Sequence, residues 1–165
     1  MTRVLPDRRG GERDATRRGA SSTGSTAAPL GGAGPRRELT ELLDRYADAF
    51  ARADLAAVAA CHVTPVLFVT EWDSTVFSSA REVAEGFRRV VDDHRARRFV
   101  TLTHRIETVS AASRIVEVGV RWTFHDGQGR PLRHDRYRYV LRRVDDRGLL
   151  INAVVVLGGS PVAAP

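Results

Sequence analysis

From Phe99 to Leu157 the chain reads as a run of strands, and this half limits the possible folds more than any other feature. In Ile115–Phe124 every second residue is apolar, so Val116, Val118, Val120, Trp122 and Phe124 share one face of a strand. Phe99–Val109 alternates likewise, with Val100, Leu102, His104 and Ile106 together, and Leu132–Val144 gathers Tyr137, Tyr139 and Leu141. Leu149–Leu157 is a nearly continuous apolar run suited to a sheet interior. His125-Asp126-Gly127-Gln128-Gly129 and Asp145-Asp146-Arg147-Gly148 supply turns between them. Strict alternation puts Val109, Ile115, Val140, Val154 and Val156 on the outer face. There they join Arg105, Glu107, Glu117, Arg121, Arg136, Arg138 and Arg142, whose opposite charges read as cross-strand ion pairs.

The preceding residues read as helices around a short hairpin. Leu39, Leu42, Leu43, Tyr46 and Phe50 follow helical spacing over Arg37–Arg52. Asp54 fits an N-cap for a short second helix with Leu55 and Val58 inward, which Pro65 ends. Val66–Trp72 is a β-branched, apolar run and predicts a strand, with Thr75–Phe77 as a short return. Ser79 and Glu82 form a capping box for a helix that turns Val83, Phe87, Val90 and Val91 to one side. The predicted order, α-α-β-(β)-α-β-β-β-β, is an α+β fold. A long antiparallel sheet curls, and a helix across its concave side leaves a one-ended cavity.

Charge marks where this domain begins. All 26 basic residues are arginine, and the net charge is +6 with a pI near 10.8. Residues 1–35 contain no aromatic residue and carry six arginines against three acids, half of the excess. They hold seven of the 14 glycines, too little apolar surface to offset ordering entropy. A disordered tail is expected over 1–35, a domain over 36–158 and a flexible end over 159–165. No apolar segment follows the arginine pairs, so an export signal of the usual form is not expected. No run approaches the roughly 18 apolar residues of a membrane span. Nucleic-acid binding would need an unneutralised patch interleaved with aromatics, and the aromatic side chains fall on the other strand face. The expectation is a cytoplasmic protein with no nucleic-acid or membrane partner.

The element order, opened by Arg45-Tyr46-Ala47-Asp48-Ala49-Phe50-Ala51-Arg52-Ala53-Asp54-Leu55, resembles the nuclear transport factor 2-like superfamily, in particular its SnoaL-like and ketosteroid-isomerase-like branches. Trp122-Thr123-Phe124-His125-Asp126-Gly127 and Tyr139-Val140-Leu141-Arg142-Arg143 running into Asp145-Asp146-Arg147-Gly148 carry the resemblance further. It spans about residues 37–158 and implies a cone-shaped barrel with an inner pocket, paired as a homodimer through the sheet. Isomerase-like members use a first-helix tyrosine, a proton-moving aspartate near the end of the first strand, and a second acid on the late sheet. A carbon acid needs that set, because its enolate must be stabilised as it forms. Tyr46 matches the tyrosine. The base position falls on Thr70, with Glu71 adjacent and Asp73 in the turn. The second acid falls near Val140, and the nearest carboxylate is Asp135. Dehydratase-like members place a histidine in the cavity, which draws attention to His104.

Three readings follow. The first is a protein that binds a small apolar ligand among Tyr46, Phe50, Trp72, Phe87, His104, Trp122 and Tyr139. The second is a lyase or isomerase with Tyr46, Glu71 and His104 as catalytic candidates. The third is a dimerisation module, in which the same aromatic side chains simply fill a core. No cofactor is expected. The five histidines and Cys61 lack the spacings of a zinc site.

Overall fold

The computed structural model of the chain describes residues 33–162. Its helices are α1 (Ala33–Ala51), α2 (Leu55–Ala60) and α3 (Ala80–Ala96). Its strands are β1 (His62–Val69), β2 (Ser74–Phe77), β3 (Thr101–Ala112), β4 (Ile115–His125), β5 (Pro131–Val144) and β6 (Gly148–Pro161). The strands form one curved, unclosed sheet in the order β2-β1-β6-β5-β4-β3. Neighbours are antiparallel except β1 and β6, which run parallel. This is the α+β architecture that the sequence predicts.

The helices form where periodicity and caps agree. Leu39, Leu42, Leu43, Tyr46 and Phe50 of α1 are all buried in one core with β4, β5 and β6. Each fully buried leucine contributes roughly 1.5–3 kcal/mol of transfer free energy. Asp54 caps α2 by accepting the Ala57 N–H at 3.0 Å. At α3, Ser79 Oγ accepts the Glu82 N–H at 3.2 Å, while the Glu82 carboxylate accepts the Ser78 N–H at 2.8 Å. The capping box therefore closes one residue further out than its simplest form. Glu38 ties α1 to the end of the sheet, accepting from Arg143 Nη1 and from the Leu149 N–H, both at 2.9 Å.

Several boundaries differ from the sequence reading. Residues 1–32, most of the expected tail, lie outside the described residues. Ala33 already begins α1. Pro35 is tolerated there because first-turn N–H groups have no partner inside the helix. The expected flexible end at 159 is instead strand: Asp135 pairs with Gly159, His134 with Ser160 and Arg133 with Pro161. Gly158, at φ 90°, takes the left-handed turn that lets pairing resume beyond it. Pro65 does not end α2. It lies within β1, after a cis peptide from Thr64, where the register against β6 shifts between His62 and Leu67. β1 stops at Val69 rather than Trp72, because Thr70 Oγ1 draws the Trp72 and Asp73 N–H groups into a turn.

Two bulges re-aim side chains that strict alternation misplaces. On β3 the register shifts between Ile106 and Thr108, so Val109 pairs with buried Val118 and packs against the core. On β6 Asn152 is the extra residue, since Leu141 pairs with Ile151 and Val140 with Ala153. Val154 and Val156 therefore point inward. One inserted residue moves every later side chain to the other face. The β3 bulge also alters the ion pairs. Glu107 meets Arg121 at 2.6 Å and Arg136 at 3.7 Å, while Arg105 stands opposite Arg121 and Glu117 opposite Ser110.

Candidate functional site

Between α1, α3 and the concave face of the sheet lies a cavity of about 220 Å³. Tyr46 and Phe50 reach it from α1, Phe87, Val90 and His94 from α3, and Trp122, Tyr137 and Tyr139 from the sheet. The walls are held by ring contacts. Tyr46 sits 5.8 Å from Trp122 and meets Phe87 edge-on at 6.2 Å, while Tyr137 and Tyr139 stack at 5.9 Å. Each aromatic pair adds about 0.5–1.5 kcal/mol beyond its burial. Trp122 Nε1–H donates to the Tyr139 hydroxyl at 2.7 Å, fixing both side chains.

Five of the expected site residues line this cavity: Tyr46, Phe50, Phe87, Trp122 and Tyr139. Trp72 does not. It stands 86% exposed in the β1–β2 turn, because the strand that would have carried it inward ends at Val69. Glu71 is exposed in the same turn. His104 lies behind the cavity wall, edge-on to Trp122 at 5.5 Å, with Nδ1 3.6 Å from Asp44 of α1. Burial lowers its pKa, and Asp44 only partly opposes this. The second reading therefore loses both of its candidate bases.

Phe68 and Thr70 of β1 and Thr75 and Phe77 of β2 also line the cavity, as do Val154 and Val156. Phe68 and Thr70 continue the alternation of buried Val66, a signal the sequence carries. Tyr137 shares a strand face with Tyr139, and His94 follows Phe87 by seven residues on α3. Val154 and Val156 were hidden by the bulge. Gly86 of α3 admits the Phe77 ring, since a Cβ there would lie 2.7 Å from Phe77 Cζ.

The interior is uncharged near neutral pH. Desolvation pushes the Tyr46 and Tyr139 phenols well up, and that of Tyr137 up too, so all three stay protonated. Burial pushes His94 down. Behind the Tyr46, Phe68 and Phe87 rings, His62 bonds the Val58 carbonyl at 2.9 Å through Nδ1, and desolvation lowers its pKa to about 4. Among the described residues no carboxylate lines the cavity. Thr70 occupies the isomerase base position, and its hydroxyl is committed to the turn. Asp135 is buried on the concave side opposite Trp122, but it is held by Arg133 at 2.5 Å and does not line the cavity. Among the described residues the two carboxylate roles of enolate chemistry thus have no occupant there. Among the described residues no group of three metal-ligating side chains assembles, and no helix is long and apolar enough to cross a membrane.

A helical layer laid on a curved, unclosed six-strand sheet, with an aromatic cavity between them, defines a cone-shaped α+β domain of the nuclear transport factor 2 type. Residues 37–158 match the model of the family described as NTF2-like protein (DUF6841), and the chain belongs to that family. Similar solved structures include a cystatin-like-fold domain of unknown function from Nostoc punctiforme, 18% identical, with TM-score 0.60, over 81% of this chain and 80% of that one. An NTF-2-like protein of unknown function from Shewanella oneidensis is 14% identical, with TM-score 0.58, over 74% of this chain and 98% of that one. Aln2 from a Streptomyces species is 20% identical, with TM-score 0.60, over 79% and 94%. At these identities the likeness is one of fold. No curated protein matches the chain.

Proposed function

We propose that this domain binds a small, uncharged, mostly apolar molecule in the cavity between α1, α3 and the sheet. The observation that carries the reading is an aromatic-walled space of about 220 Å³ that no charged side chain lines among the described residues. Burying an ion there would leave it unpaired, whereas an apolar ring exchanges water contacts for ring contacts. The space exceeds the ~150 Å³ cavity that admits benzene in an engineered protein core. A thermal-shift screen of uncharged aromatic compounds tests this, with Val154→Phe as the filled-cavity control. A bound ligand at about a hundred times its dissociation constant stabilises by about 2.7 kcal/mol. The wild type should therefore gain several degrees with at least one compound, and Val154→Phe should not. A screen in which no compound stabilises the wild type, or in which both proteins respond alike, contradicts the reading.

The domain is also proposed to pair with a second copy through the outer face of the sheet. Val76, Leu67, Ala153 and Val140 fall in one cross-strand row over β2, β1, β6 and β5, and Leu67 and Val76 are exposed. An apolar stripe of that kind is suited to an isologous contact.

A further inference from the structure

We infer that the crevice between α1 and α2 is a second binding site, for a small amino dicarboxylate. Arg45 and Arg52 receive its two carboxylates and Asp48 its ammonium group. The crevice is separate from the inner cavity, and the inference does not rest on the ligand-binding reading above.

The crevice follows from how α1 ends. The Arg52 N–H still donates to the Asp48 carbonyl at 3.1 Å, and Ala53 then takes a left-handed φ of 56° that swings the chain into α2. On the α2 side the crevice is lined by Ala57, Ala60 and Cys61, side chains too short to fill the gap. A space of about 270 Å³ is left between the two helices. That is many times the roughly 30 Å³ share of one water, so the space suits a molecule rather than a single ion.

The other wall is charged in a fixed order. Arg45, Asp48 and Arg52 lie on one face at the end of α1, with the two arginines about 10.5 Å apart along the axis. Asp48 is three residues from one arginine and four from the other, the spacing at which helix side chains meet and pair. The remaining acids of α1 all have partners: Glu38 with Arg143, Glu41 with Arg37 and Asp44 with His104. Among the described residues no ion pair includes Arg45, Asp48 or Arg52, and all three line the crevice instead. The Arg45 charge reaches the floor, where it offsets part of the rise that burial imposes on the Cys61 thiol pKa. Arg147 adds a cation at the far rim, donating from Nη2 to the Ala60 carbonyl at 3.2 Å. Asp54, the neighbouring acid, is turned to the start of α2 and accepts the Ala57 N–H at 3.0 Å.

The order positive, negative, positive selects among ligands. A lone phosphate or a plain dicarboxylate pairs with the arginines but sets its charge against Asp48. A simple amine pairs with Asp48 and meets two guanidiniums of its own sign. A molecule with an ammonium group and two carboxylates answers all three charges, and a guanidinium grips a carboxylate through two N–H groups. The three side chains are exposed, so salt screens each contact and the affinity expected is millimolar.

The test is amide-resolved NMR of the full chain at constant ionic strength, with three probes: L-glutamate, glutarate, which lacks the ammonium group, and 4-aminobutyrate, which lacks one carboxylate. L-Glutamate should give saturable shifts at the Ala57, Ala60 and Cys61 amides. Glutarate and 4-aminobutyrate should each bind there at least fivefold more weakly. Asp48→Asn should bring L-glutamate and glutarate within twofold of each other. Arg45→Gln/Arg52→Gln should abolish the shifts. All three positions are exposed, so these variants keep the fold. No saturable shift with L-glutamate overturns the inference, as do equal affinities for the three probes on the wild type or a preference for L-glutamate that survives Asp48→Asn. Each of these outcomes leaves the apolar-cavity reading untouched.

Discussion

His62 shows how much one buried side chain can control. It is 3% exposed, ringed by Tyr46, Phe68 and Phe87, and its folded pKa is about 4 against an ordinary 6.5. Between those values the unfolded chain binds the proton and the folded one does not, so stability rises with pH. It is fully present above about pH 6.5 and lost as pH falls toward 4, a difference of about 3 kcal/mol from this residue. Burial lowers His94 and His104 in the same direction. Urea unfolding at a series of pH values should show this loss, and His62→Leu should flatten it. An unchanged slope in that variant would show that another group carries it. The sequence gives no sign of this role, since His62 follows a short helix and precedes a strand interrupted by Pro65. Trp72 is the converse case. Its bulk and apolar neighbours suggest a cavity wall, but one threonine hydroxyl gathering two N–H groups ends the strand before it.

At the scale of elements, periodicity was legible wherever an element is regular. The α1 face, the β4 face and the α3 cap all follow from spacing and one capping pair. What was not legible is the bulge, which has no reliable signature in residue type. The extra residues at Glu107–Thr108 and Asn152 each look like ordinary members of an alternating run. Yet they decide that Val109 joins the core and that Val154 and Val156 face the cavity rather than the outer side. The far end of β6 depends on close approach. A Cβ at Gly159 would lie 1.7 Å from Asp135 Oδ1 and 2.5 Å from the His134 carbonyl oxygen, so the backbone itself would have to move. Gly159→Ala should destabilise the fold by about 1–3 kcal/mol in urea unfolding. A cost below 0.5 kcal/mol would mean the β5–β6 pairing there is looser than described.

The whole molecule joins a closed core to an open space. Leu39, Leu42, Leu43, Leu141 and Ile151 fill one end of the cone with no exposure, while the other end is walled by aromatic rings around the cavity. The outer face divides as well, into an apolar row over β2, β1, β6 and β5 and an arginine row, Arg105–Arg121–Arg136, over β3, β4 and β5. If the apolar row seats a second copy, light scattering should give twice the chain mass, and Leu67→Arg should return it to the monomer. A monomeric wild type at micromolar concentration would contradict that pairing. Half of the net basic excess belongs to residues 1–35, and the arginine row of the sheet lies on its outer face, away from the cavity.

On the proposed function, the cone's interior receives a small apolar molecule. Methyl-resolved NMR during a tetralin titration tests it most directly, because leucine and valine methyls sample both faces of the sheet. Saturable shifts at Leu102, Val154 and Val156, with Leu67 and Val76 unmoved, are the predicted result. Shifts confined to Leu67 and Val76, or none at saturating tetralin, would contradict it.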